Sequence, residues 1–149
     1  MAALPCSTAR IAPRMALHIV PFYAAALALL FVLLSGLVIR GRGKHQVIMG
    51  SGGIPDLERR IRVHGNFAEY VPFTLLLLLM AELLEVSAVV LHLLCLCLIV
   101  GRLLHAWGVS RIEENLRFRV SGIVLTLSAL GGTALAILFI GLRAYPGRA

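Results

Sequence analysis

The stretch RIRVHGNFAEYVPFTLLLLL, residues 60–79, begins with charged and polar side chains and ends as an unbroken apolar run. Glu69 lies at the point where the sequence turns apolar. A charged side chain in the hydrocarbon core of a membrane costs roughly 2–3 kcal/mol or more, so such residues are usually shielded and functional. A membrane segment that begins this way therefore needs polar partners, and the rest of the chain must supply them.

The composition indicates an integral membrane protein. Of the 149 residues, 60% are hydrophobic, whereas a soluble domain is closer to half apolar. Long runs with almost no charge are typical of membrane-spanning helices. We therefore predict an all-α, four-helix transmembrane bundle over residues 16–143, with helices at about 16–39, 56–85, 87–108 and 119–142. Residues 1–15 and 144–149 are predicted to be tails, and Met15, just before the first apolar run, is a candidate for the true start.

The basic residues predict membrane topology and lipid contact. The net charge is +7, and the Lys and Arg residues flank the apolar runs. Lipid phosphates explain such a pattern better than nucleic acid, so we expect membrane lipids as partners and no nucleic acid. The predicted loop at residues 40–56, the start of helix 2 and the loop at 108–119 are richer in Arg and Lys than the tails and the second loop. The positive-inside rule therefore predicts that loops 1 and 3 are cytosolic.

Helix 2 carries a polar stripe. Residues at spacings of three and four share one face of a helix, and here those residues are Arg59, Arg62, Asn66, Glu69, Tyr70 and Phe73. One interpretation is an internal network in which Glu69 pairs with Arg62 or Arg102. The other is a pocket for a water-soluble anion that also carries an amine, because arginine forks bind carboxylates and a glutamate accepts from an ammonium group.

Two motifs resemble a known family. ERRIRVHGNFAEYVP, residues 58–72, closely resembles the helix 2 motif of the MAPEG family, the membrane-associated proteins in eicosanoid and glutathione metabolism. The family pattern is roughly E-R-x-x-R-x-x-x-N-x-x-E-x-x-P, and every fixed position is present. VGRLLHAWG, residues 100–108, resembles the end of the family's helix 3, where an arginine is followed three residues later by histidine or tyrosine. The resemblance covers about residues 16–142 and is greatest to the compact bacterial branch, so we expect a bacterial inner membrane protein.

The resemblance implies a homotrimer that binds glutathione as a co-substrate between neighbouring subunits, near the cytosolic side. By motif position the expected ligand-binding residues are Arg62, His64, Asn66, Glu69, Tyr70 and His105. Arg42 matches a loop 1 arginine of the family only across an alignment gap. A second family tyrosine is replaced here by Val109.

The resemblance also implies an arginine near the start of helix 4 that stabilises the glutathione thiolate. A free thiol has a pKa of about 8.5, and a neighbouring cation lowers it. Arg119, directly before VSGIVLT, is the first choice for this catalytic role and Arg117 the second. Either residue could instead anchor helix 4 to lipid headgroups. The implied activity is that of a glutathione-dependent transferase or peroxidase acting on a lipophilic small-molecule electrophile or hydroperoxide.

Other functions remain open at this point. The same family includes a non-enzymatic member, so a lipid-binding or scaffold protein of this fold is the main alternative. A small transporter is less favoured, because the polar stripe does not cross the bilayer. The cysteines show no metal-ligand spacing, and Cys95 and Cys97 are expected to be small apolar side chains within helix 3.

Overall fold

The structure is a computed structural model that describes residues 17–110 and 115–144. These residues form four helices: α1, Val20–His45; α2, Pro55–Leu83; α3, Ala88–Ser110; and α4, Leu116–Ala144. All four are long and apolar enough to cross a membrane. The predicted all-α, four-helix membrane bundle is therefore confirmed.

The first helix begins later than predicted, at Val20 instead of residue 16. The cause is Glu82 at the end of α2, whose carboxylate accepts hydrogen bonds from the backbone N–H groups of His18 and Ile19, both at 2.7 Å, and of Val20 at 2.9 Å. The first N–H groups of a helix have no partner within the helix. A carboxylate accepts hydrogen bonds from them, and its negative charge interacts favourably with the helix dipole. A side chain distant in sequence thus sets where α1 begins.

The same helix also ends later than predicted, at His45 instead of residue 39. Two glycines of the predicted basic loop, Gly41 and Gly43, lie within this helix instead. Gly41 is needed there for packing against α2. Gly41 is buried, and a Cβ atom at this position would lie 3.0 Å from Cδ1 of Leu57 at the start of α2. The basic residues Arg42, Lys44 and His45 then fall in the last turn, where cations interact favourably with the helix dipole.

The second helix buries the side opposite its polar stripe. Val63, Phe67 and Val71 are at most 4% exposed and belong to the hydrophobic core. Pro72 lies within the helix, where its ring removes the hydrogen bond to the carbonyl of Ala68. This burial leaves the polar stripe on the remaining surface of α2.

The third and fourth helices approach each other closely through glycines. A Cβ atom on Gly122 would lie 2.5 Å from the backbone nitrogen of His105, and one on Gly108 would lie 2.6 Å from that of Arg119. Small residues allow the backbones of membrane helices to touch in this way. The contact holds His105 of α3 and Arg119 of α4 side by side. The fourth helix begins at Leu116 rather than residue 119, because the Asn115 side-chain oxygen accepts from the Arg117 backbone N–H at 3.2 Å.

Candidate functional site

A cavity of about 520 Å³ lies where the start of α2, the end of α3 and the start of α4 meet. Five residues singled out in the sequence converge on it: Arg62, Asn66, Glu69, His105 and Arg119. The remaining lining residues are Ile61, Gly65, Val109 and Ile123. Three separate helices thus supply one polar site at the end of the bundle where loops 1 and 3 lie.

The charged groups of the cavity are exposed on the surface of the subunit. Arg62, Glu69 and Arg119 are all exposed, although Glu69 belongs to a helix that can span the membrane. Within residues 17–110 and 115–144, Glu69 forms no ion pair with Arg62 or Arg102, so the internal network considered from the sequence is not formed. The cavity therefore carries two guanidinium groups and one carboxylate at its exposed surface.

Arg102 lies behind the cavity and organises its wall. Only 2% of this residue is exposed. Its Nη1 donates to Oδ1 of Asn66 at 2.6 Å, and its Nε and Nη2 donate to Oγ1 of Thr126 at 2.9 and 2.6 Å. Because arginine has only donors, the oxygen of the Asn66 amide must face it. The two N–H groups of that amide remain available to an acceptor in the cavity.

His105 contributes a buried imidazole to the cavity. The residue is 6% exposed, and among the described polar atoms its Nδ1 is one of those that lack a hydrogen-bond partner. Buried polar atoms in proteins are nearly always satisfied. A polar group of a bound ligand is one partner that would satisfy this nitrogen.

Comparison with known proteins identifies the family of this chain. The model of the MAPEG family matches residues 20–139. The chain belongs to the MAPEG family. It is also similar to the inner membrane protein YecN of Escherichia coli K12, with 36% identity over 108 residues, which cover 72% of this chain and 81% of the relative. YecN of Escherichia coli O6:H1 strain CFT073 matches to the same extent.

Four residues expected from the MAPEG resemblance lie outside this cavity in the single subunit. The ring of Tyr70 lies 5.9 Å from the Arg102 guanidinium and does not line the cavity. His64 faces α1, where its Nε2 lies 3.0 Å from Oγ of Ser35 and its ring stacks on Phe31.

The other two of these residues are arginines. The Nη1 of Arg42 donates to the Ile48 carbonyl oxygen at 3.1 Å, and Arg117 is exposed in the first turn of α4. Helix geometry explains part of this separation, because residues two apart, such as Arg62 and His64, point about 200° apart around the axis. For the same reason Arg119 and Arg117 cannot both face the cavity.

The sequence-based site did not include Arg102. From the sequence, Arg102 is identified only as a candidate internal partner of Glu69 and as the arginine of the helix 3 motif. An ionisable residue within an apolar run is a functional candidate by itself, and this signal was present in the sequence of α3.

Proposed function

We propose that this MAPEG protein is a glutathione-dependent transferase or peroxidase of a bacterial inner membrane, with loops 1 and 3 in the cytosol. The observation that carries the proposal is the convergence of Arg62, Asn66, Glu69 and Arg119 on one cavity at the end of a membrane-spanning bundle. In this position a water-soluble thiol can meet a substrate dissolved in the bilayer. The inner membrane location is that of YecN, as its name states.

The charges of the cavity complement those of glutathione. The tripeptide carries two carboxylates and one ammonium group, and its thiolate adds a third negative charge. Arg62 and Arg119 offer guanidinium forks, Glu69 can accept from the ammonium group, and the buried Arg102 adds a positive charge behind Asn66. Electrostatic complementarity of this kind selects a ligand against others of the wrong charge.

In the proposed reaction Arg119 stabilises the thiolate. The sulfur attacks an electrophilic carbon, and the leaving group departs with its bonding electrons, for example as a halide ion. With a hydroperoxide, the sulfur attacks the distal oxygen, and the O–O bond breaks to give an alcohol once the alkoxide takes a proton from water. A second glutathione then reduces the sulfenic product to glutathione disulfide. Only the charge of the thiolate must be stabilised by the protein, and a nearby cation does this.

We further propose that the protein is a homotrimer. Glu69 and Arg62 are exposed on a single subunit, yet lipid strongly disfavours a charge at this position in a spanning helix. A neighbouring subunit would cover them and could bring His64 and Arg42 towards the same ligand. Ser121, Ser128 and Gly131 are exposed on α4 and suit such an interface, whereas Gly122 is already used within the subunit against α3. Native mass spectrometry from mild detergent should show three chains, and a stable monomer would contradict this assembly.

Isothermal titration with glutathione tests the site. Arg62→Ala and Glu69→Gln should weaken binding by about 2–5 kcal/mol, because each leaves a buried charge of the ligand without its partner. Arg143→Ala is the control, since this exposed arginine lies at the far end of α4. If both site variants assemble as the wild type does and bind glutathione equally well, the assignment of the site is wrong.

A pH titration of the complex separates an enzyme from a binding protein, because a bound thiolate absorbs in the ultraviolet. In the wild type the pKa of the glutathione thiol should fall well below about 8.5. Arg119→Ala should return it towards that value and reduce turnover of an aryl halide or lipid hydroperoxide, while affinity changes much less. If only Arg117→Ala raises the thiol pKa and reduces turnover, Arg117 and not Arg119 stabilises the thiolate. If wild type shows no thiolate and neither variant matters, the protein is a lipid-binding or scaffold member of the family.

A further inference from the structure

A second cavity lies at the same end of the bundle, between the last turns of α1 and the first turns of α2. Its volume is about 350 Å³, and its lining residues are Leu37, Arg40, Gly41, Lys44, Asp56 and Arg60. None of these residues lines the cavity at Arg62 and Arg119. The two cavities are therefore distinct within one subunit.

Within residues 17–110 and 115–144, two of the three cations in this cavity have no acidic partner. Arg60 is already engaged, because its Nη2 lies 2.9 Å and its Nε 3.1 Å from Oδ2 of Asp56. Its Nη1 also donates to the Leu37 carbonyl oxygen at 3.4 Å. Arg40 and Lys44 form no ion pair with an acid within the described parts of the chain. These two residues lie one turn apart on α1, where like charges repel each other.

The shape of the cavity distinguishes it from an ordinary basic helix end. Positive charge near the C-terminus of α1 is explained by membrane topology and by the helix dipole, but neither requires a concave site. Here Gly41 is buried and lets α1 approach Leu57 of α2, so that Arg40 and Lys44 stand at the edge of a recess. The cavity volume of about 350 Å³ is large enough to hold a phosphate group.

Exposed apolar residues near the end of α1 indicate that this end of the bundle lies at the lipid surface. Ile39, Ile48 and Met49 are 70%, 94% and 86% exposed. The hydrogen bond from Arg42 to the Ile48 carbonyl oxygen holds the connection in place with these side chains outward. Apolar and basic side chains placed together in this way are typical of segments at the headgroup layer. The anion within reach of the cavity is therefore a lipid phosphate.

We propose that the cavity of Arg40 and Lys44 binds the phosphate group of an anionic phospholipid, with the acyl chains along α1 beside Ile39. Basic pockets between membrane helices on the cytosolic side bind anionic headgroups in this manner. A free phosphate ion has the same charged group, but it lacks the acyl chains that would contact the exposed apolar residues. The proposal does not depend on glutathione binding at the other cavity.

Native mass spectrometry of the delipidated protein in detergent tests this site, with phosphatidylglycerol and phosphatidylcholine added in separate titrations. Wild type should bind phosphatidylglycerol more tightly than phosphatidylcholine. Arg40→Gln and Lys44→Gln should each weaken phosphatidylglycerol binding by about fivefold, the effect of one basic residue near a charged lipid surface. Arg40→Lys, which keeps the charge, should retain binding. Arg143→Gln is the matched control, because it removes one charge at the other end of the bundle.

Three results would overturn the proposal. The first is unchanged phosphatidylglycerol affinity in both Gln variants, and the second is an equal loss in Arg143→Gln, which would indicate a general charge effect. The third is displacement of phosphatidylglycerol from wild type by excess inorganic phosphate, which would show that the cavity recognises free phosphate and not a lipid. Retention of the lipid against inorganic phosphate supports the lipid as the ligand.

Discussion

A single methyl group at Gly122 should push α3 and α4 apart beside the proposed glutathione cavity. The added Cβ would lie 2.5 Å from the backbone nitrogen of His105 and 2.7 Å from the carbonyl oxygen of Gly101, whereas ordinary contact begins at 3.4 Å. Both atoms belong to the backbone, so no change of rotamer relieves the clash. The helices must therefore separate locally by roughly 0.9 Å, the shortfall in the closer of the two contacts.

The energetic effect can be isolated with a control on the same helix. A Cβ on Gly131 would have no neighbour within 4 Å. Replacing glycine by alanine in a helix interior changes intrinsic helix propensity by about 1 kcal/mol, and this term is common to both variants. Overpacking in a close-packed interior costs about 1–3 kcal/mol. Gly122→Ala should therefore be less stable than Gly131→Ala by about that amount.

The assay is reversible unfolding in mixed micelles with increasing dodecyl sulfate, followed by helix content and compared between the two variants. Glutathione affinity is measured on the same samples, because the separation displaces His105 from Arg119. We expect weaker binding in Gly122→Ala and wild-type binding in Gly131→Ala. Equal stability of the two variants would refute the direct backbone contact between α3 and α4.

Two further predictions concern polar contacts between helices. Arg102→Met should destabilise the protein by about 1–3 kcal/mol, because it leaves the acceptors on Asn66 and Thr126 without their donor. It should also weaken glutathione binding at least tenfold, since Asn66 is no longer oriented, and calorimetry with unchanged affinity would contradict this positioning role. Glu82→Ala should destabilise the protein by about 0.5–2 kcal/mol, the usual effect of losing a helix cap. Hydrogen exchange should also accelerate at the backbone N–H groups of His18, Ile19 and Val20. Slow exchange at these amides in the variant would show that the carboxylate is not their partner.

Much of the fold and part of the site could be predicted from the sequence, because these features depend on local periodicity. Long apolar runs define the four helices, and the spacing of Arg62, Asn66 and Glu69 places them on one face of α2 whatever the rest of the chain does. The same spacing places Val63, Phe67 and Val71 on the opposite side of α2, and the structure buries that side. The motif positions also identified His105 and Arg119, each on its own helix.

Only the tertiary structure decided how these separate faces meet. The glycine contact between α3 and α4 sets the rotation of the two helices, and this rotation brings Arg119 to the cavity while Arg117 stays outside it. The same packing buries Arg102 between Asn66 and Thr126, a contact between three helices that no spacing within one of them encodes. The start of α1 likewise depends on Glu82, at the end of another helix. Periodicity acts within one helix, whereas a cavity, a cap from another helix and a buried charge depend on distances between helices, which close packing determines.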